Sequence, residues 1–172
     1  LGSGVGAGGQ DELVHPNPEA PVVRLRPVDK ADFEALFAIQ ADPAWAEMVG
    51  LPGRDHEAFL VHKAKIVADP ANLSRVIEVD GEVVGSVATF PMGGAREVGY
   101  SVARSHWGRG IATEALRLML VEDATRPLQA EVALHNEGSR RVLDKLGFVQ
   151  VGIDESEGLA ILVLDAERRS SA

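Results

Sequence analysis

Polar and apolar residues alternate through PVVRLRPV, where Val23, Leu25 and Pro27 interleave with Arg24 and Arg26, the pattern of a half-buried strand. Asp29 then stands where a helix cap belongs, ahead of a helix carried by Phe33, Leu36, Phe37 and Ile39 and ending near Asp42-Pro43. A second helix is predicted over Glu57 to Ala68, before Asp69-Pro70. In SRVIEVDGEVVGSVATF two strands meet at Asp80-Gly81, a strong hairpin signal. A third strand, REVGYSV, follows the turn at Gly93-Gly94, so the three form an antiparallel meander.

Beyond the meander the pattern predicts a helix from about Gly108 to Asp123, then a strand at LQAEVAL, a helix at NEGSRRVLDKLG and a strand at FVQVGI. The last strand, GLAILVLD, is apolar almost throughout and is therefore central or covered. No repeat is present. This order implies a single-domain α/β fold with a mixed sheet, spanning 21–167. The Gly-rich LGSGVGAGGQDE reads as part of a flexible tail, residues 1–20, and residues 168–172 as a second tail.

Composition narrows the class. A chain of 172 residues buries a core without disulfides or metals, and the absence of cysteine removes thiol nucleophiles and thiolate metal sites. No apolar run approaches the roughly 18 residues of a membrane span, which favours a soluble cytoplasmic protein without a membrane partner. The net charge of -9 argues against nucleic-acid binding. That charge is uneven. Arg96 to Lys145 hold eight Lys/Arg against seven Asp/Glu, while the rest of the chain holds nine against nineteen. A locally basic segment suits an anionic ligand; the plainer reading is an acidic, well-solvated surface. The histidines at 15, 56, 62, 106 and 135 lack metal-ligand spacing, so no metal is expected.

The segment SHWGRGIATEAL sets Trp107-Gly108-Arg109-Gly110-Ile111-Ala112 between a predicted strand and a predicted helix. The first N–H groups of a helix lack internal partners, and the helix dipole adds positive potential there. Glycines admit a phosphate close to the backbone, with Arg109 adding charge and Thr113 a hydroxyl. Neither the dinucleotide fingerprint nor the nucleotide P-loop is matched. Read alone, the segment is more simply a plain loop-to-helix junction.

Three motifs in order, EVGYSV, HWGRGIATEAL and HNEGSRRVLDKLGF, make the chain resemble the GNAT superfamily of acetyl-CoA-dependent N-acetyltransferases. The likeness is greatest to the branch acting on ribosomal-protein N-termini, and it implies a central, mixed, mostly antiparallel twisted sheet with about four helices. The family's phosphate loop is Arg/Gln-x-x-Gly-x-Gly/Ala; Gly110 and Ala112 match it, with Trp107 in place of Arg or Gln. The resemblance implies that Gly108 and the amides of Arg109, Gly110, Ile111, Ala112 and Thr113 hold the pyrophosphate of coenzyme A. It also implies that the pantetheine arm pairs with the strand edge at Val102, Ala103 and Arg104, as an added strand does. Arg104 either reaches a phosphate or is a solvated strand-end arginine.

Asn136 opens the next helix, where Asn is a preferred cap, and the resemblance adds a contact with pantetheine. Ser139 shares a stripe with Val142, Leu143 and Leu146; it is either tethered to the preceding turn or, by the resemblance, a donor near the thioester. Many relatives place a tyrosine acid where this chain has Leu143, so the general acid is unassigned. Strand alternation sets Glu97 with Gly99 and Ser101, opposite Val98, Tyr100 and Val102. Glu97 is therefore either an exposed strand glutamate or, by the resemblance, the base near the incoming amine. Tyr100, the only tyrosine, reads as a core residue with a tethered hydroxyl. Trp45 and Met48 fall where the family builds its acceptor wall, or simply pack a helix edge.

The implied chemistry is direct attack of a neutral amine on the acetyl thioester in a ternary complex, with a backbone N–H near Val102 polarising the carbonyl. An α-amine with pKa about 7.8 is roughly a tenth neutral at pH 7; lysine, near 10.4, lies about 3.5 kcal/mol further from neutrality. A chain without an evident strong base suits the α-amine. A GNAT-like module that binds acyl-CoA without turnover is the alternative, and an enzyme cradling another nucleotide is a third. Acetyl-CoA and a peptidyl or small amine are the expected partners. A homodimer is compatible with the sequence, but no residue specifies it.

Overall fold

The computed structural model describes residues 20–166, and the expected tails at 1–20 and 168–172 lie outside them, Ala20 apart. The elements run β1 (Val23–Pro27), α1 (Phe33–Ala41), α2 (Pro43–Val49), α3 (His56–Ala68), β2 (Leu73–Val79), β3 (Glu82–Met92) and β4 (Ala95–Val102). They continue with α4 (Ile111–Glu122), β5 (Leu128–Ala133), α5 (Glu137–Lys145), β6 (Val149–Asp154) and β7 (Leu159–Leu164). Short 3-10 turns at Lys30–Asp32 and Arg104–His106 precede α1 and follow β4.

Asp42-Pro43 ends α1 as expected, but it also starts α2. The Asp42 carboxylate accepts from the Ala44 N–H at 2.9 Å, and Pro43 takes the first helical position, where its missing N–H costs nothing. The described residues therefore hold five α-helices rather than about four. The Asp80-Gly81 hairpin forms with both residues at positive φ, 53° and 77°, which suits the right-handed twist of the paired strands.

All seven strands join one sheet in the order β1-β2-β3-β4-β5-β7-β6. Every pairing is antiparallel except β4 with β5. Those two parallel strands pair only at Arg96↔Leu128 and Glu97↔Gln129; beyond that they part. The apolar last strand, β7, lies between β5 and β6 and so is covered on both edges. Val87, Val98 and Val102 on one sheet face bury with Ile111, Leu116 and Met119 of α4. Leu36 of α1 and Phe59 of α3 close on Val76 of β2 in a second cluster.

The closed end of the β4–β5 split is pinned by a buried polar network. Arg96 donates from Nε to Asp123 and from Nη2 to Thr89, each at 2.9 Å, and from Nη1 to the Ala71 carbonyl. Asp123 also accepts from the Thr89 hydroxyl and the Thr125 N–H. Burial pushes the Asp123 carboxyl up, but donors from Thr89, Thr125 and Arg96 outweigh it and hold the group well below the usual carboxylate range.

Candidate active site

Where β4 and β5 part, a cavity of about 370 Å³ opens. Tyr100 and Val102 reach it from the sheet face that carries α4, and Ser101 from the opposite face, so the cavity passes through the sheet. Trp45, Met48 and Val49 of α2 wall one side; the turn before α4 and the first residues of α5 wall the other. Two molecules entering from opposite faces would meet in the middle.

The turn before α4 is built to leave donors free. Gly108 and Gly110 adopt φ of +72° and +75°, and no side chain caps α4. The first bond into the helix runs from Glu114 N–H to the Gly110 carbonyl, leaving the amides of Ile111, Ala112 and Thr113 without helical partners. All three residues line the cavity, as do Trp107, Gly108 and Gly110. A Cβ on either glycine would meet nothing within 4 Å, so glycine serves the left-handed backbone here rather than close packing. Unpaired amides facing an open space fit an anionic phosphate group.

Trp107 points back to the strand: its indole Nε1 donates to the Val102 carbonyl at 2.8 Å. His106 also lines the cavity, its Nδ1 2.9 Å from the Ser105 hydroxyl. Arg109 is exposed and outside the lining. Arg104 is exposed too, and its guanidinium lies 3.9 Å from Asp42 rather than over the cavity.

Register decides which parts of the β4 edge are available. Ala103 N–H donates to the Val84 carbonyl at 2.7 Å and its own carbonyl accepts from His106. Antiparallel pairing alternates, so the N–H and C=O of Val102 turn away from β3 and towards the split. Trp107 takes the Val102 carbonyl, which leaves the Val102 N–H facing the opening. Of the three positions expected to pair with pantetheine, Ala103 spends both backbone groups within the fold and the Arg104 carbonyl accepts from the Trp107 N–H.

Asn136 is buried and caps α5, its Oδ1 accepting from Ser139 N–H at 3.1 Å. Both residues line the cavity. The Ser139 hydroxyl has no hydrogen-bond partner among the described residues, while the Ser139 carbonyl accepts from the Tyr100 hydroxyl at 3.3 Å. Burial pushes the Tyr100 hydroxyl up, so the phenol stays protonated. Leu143 is fully buried in the core and offers nothing to the cavity. Val142, on the Ser139 stripe, lines the cavity too, and Gly138, Arg141 and Lys145 join it without having been singled out in the sequence. Their helical spacing was the available signal, and the two cations suit an anion.

Glu97 takes the face predicted by alternation, yet it is only 6% exposed. It sits at the last β4–β5 pair, outside the cavity lining, and accepts from Gln129 Nε2 at 3.1 Å. The same Gln129 amide donates to Glu131 at 3.3 Å. Burial and the neighbouring Glu131 carboxylate push Glu97 up, against the pull of Gln129.

Residues 23–149 match the profile of the acetyltransferase (GNAT) domain. Among curated proteins, an uncharacterised N-acetyltransferase, p20 of Bacillus licheniformis, is 26% identical over 143 residues, covering 75% of this chain and 80% of that protein. The solved structure of Mycobacterium smegmatis RimJ in complex with CoA-disulfide superposes with a TM-score of 0.72 at 27% identity, covering 89% of this chain and 86% of that one. The aminoglycoside acetyltransferase AAC(6')-Ib, solved with coenzyme A, shares the fold at a TM-score of 0.71 and 20% identity, over 84% and 95% of the two chains.

Proposed function

The chain belongs to the GNAT acetyltransferase family, and from that premise we propose that its domain, residues 21–167, moves an acetyl group from acetyl-CoA to a primary amine. The observation that carries this reading is the cavity through the β4–β5 split, with an uncapped helix N-terminus on one side and the α2 wall on the other. The amides of Ile111, Ala112 and Thr113 would hold the pyrophosphate, with Arg141 and Lys145 adding positive charge at the wall. Asn136 and the Val102 edge would hold the pantetheine arm.

Acetyl-CoA, when bound, supplies the acetyl group as an activated thioester. Around it the Val102 N–H acts as a fixed donor to the acyl oxygen, where charge develops. Glu97, with its raised proton affinity, acts as base towards the amine through water, and the free Ser139 hydroxyl donates to the departing sulfur. A base of this modest strength suits an α-amine, so a peptide N-terminus or a small amine is the acceptor. The HWGRGIATEAL motif and the likeness to a RimJ structure support the N-terminal acetyltransferase branch.

Among the described residues no helix is long and apolar enough to cross a membrane, and a cysteine-free chain suits the cytoplasm. The buried Leu143 favours a second reading, a module that binds acyl-CoA without turnover. Thiol release from acetyl-CoA, followed across a panel of peptide N-termini and small amines, decides between them. Release with at least one amine supports the enzyme; tight binding with no release across the panel supports the module.

A further inference from the structure

Helix α2 spans the gap between the parting strands. At its N-terminal end Asp42 lies 3.9 Å from Arg104, on the turn that follows β4. At its C-terminal end the Glu47 carbonyl lies 2.7 Å from Nε2 of His135, on the turn that follows β5. A carbonyl only accepts, so His135 Nε2 carries the proton and donates. Gly50, in the left-handed conformation that ends α2, packs against the same place. A Cβ built there would lie 3.6 Å from both Ala133 Cβ and His135 Cε1. No residue of α2 is fully buried, so core packing alone does not seat the helix. Yet α2 supplies Trp45, Met48 and Val49 to the cavity wall.

We infer that α2 is a strap across the β4–β5 split and that His135 is the positioning residue that seats it, setting affinity for the acceptor amine. His135 does not itself line the cavity, so it acts through the wall it holds. Its neighbour Asn136 faces the cavity from the same turn, so one short segment registers the strap against the α5 side of the cavity. This inference rests on the acetyl-transfer reading for its kinetic consequence, but not for its structural one.

The test compares wild type, His135→Ala and His135→Gln; the glutamine amide nitrogen falls near the position of Nε2 and keeps the donor. One such bond corresponds to a threefold to tenfold effect, roughly. His135→Ala should raise the amine KM by about that factor, with kcat and the acetyl-CoA KM within about twofold, and His135→Gln should restore most of the loss. Hydrogen exchange of the α2 amides should quicken by a similar factor in His135→Ala, with α4 amides unchanged. The exchange readout needs no turnover, so it decides the strap even if wild type transfers no acetyl group. Unchanged α2 exchange, an unchanged amine KM in an active enzyme, an acetyl-CoA KM that rises in step, or no rescue by glutamine would each overturn the inference.

Discussion

The indole N–H of Trp107 donates to the carbonyl of Val102 across 2.8 Å, tying the glycine turn to the end of β4. That bond gives a physical role to the tryptophan standing where the resembling loop has Arg or Gln. It fixes the turn against the strand whose Val102 N–H faces the split. Trp107→Phe keeps the ring body and removes the donor. A hydrogen bond of this kind nets about 1 kcal/mol, so coenzyme A should bind about fivefold more weakly by calorimetry. A change under twofold would show that the bond does not hold the cradle.

Gly110 sits at φ +75° with open space around its Cβ position, so Gly110→Ala isolates backbone strain from collision. The left-handed conformation costs a non-glycine residue about 1–2 kcal/mol. The melting temperature should fall by about 2–8 °C for a domain of this size, with weaker coenzyme A binding. An unchanged melting temperature would mean that the turn has another conformation at no cost.

Asp123 is buried with Thr89 and Arg96, and removing it leaves Arg96 without its carboxylate. Asp123→Ala should cost about 3–5 kcal/mol at neutral pH. The folded-state carboxyl is held below its unfolded value, so its stabilisation is complete above pH ~4 and is lost as pH falls towards the folded value. Urea titrations of wild type and Asp123→Asn should therefore differ most near neutrality and converge below pH ~4. A gap independent of pH would contradict this assignment.

Glu97 is pushed up by burial and by Glu131. If it is the base, kcat/KM should fall on the acid side at a pH above the ordinary carboxylate range, because a protonated Glu97 cannot take the amine's proton. Glu131→Gln removes the repulsive neighbour and should move that limb to lower pH. Glu97→Gln should lower kcat by about 100-fold or more. A limb that stays in place in Glu131→Gln assigns it to another group.

Much of this was legible in the sequence where the signal is local. The Asp80-Gly81 turn, the Asn136 cap and the glycines before α4 each act within a few residues, and each formed as the pattern predicts. Helix α2 was not legible, because Asp42-Pro43 serves equally as a stop and a start. Nor were relationships that depend on register: Ala103 spends its N–H on Val84, and Arg104 turns towards Asp42, because of how β3, β4 and α2 meet. Glu97 shows the limit most clearly. Alternation gave its face correctly, but its burial depends on Gln129 and Glu131 from a strand thirty residues on.

In the proposed function, the cradle before α4 and the split beside it hold acetyl-CoA. Calorimetric titration of wild type with acetyl-CoA, coenzyme A and ATP tests it most directly. Acetyl-CoA and coenzyme A should bind saturably and one-to-one, ATP much more weakly, and Gly110→Ala should lose affinity. No binding of coenzyme A at millimolar concentration, or equal affinity for ATP, would contradict it.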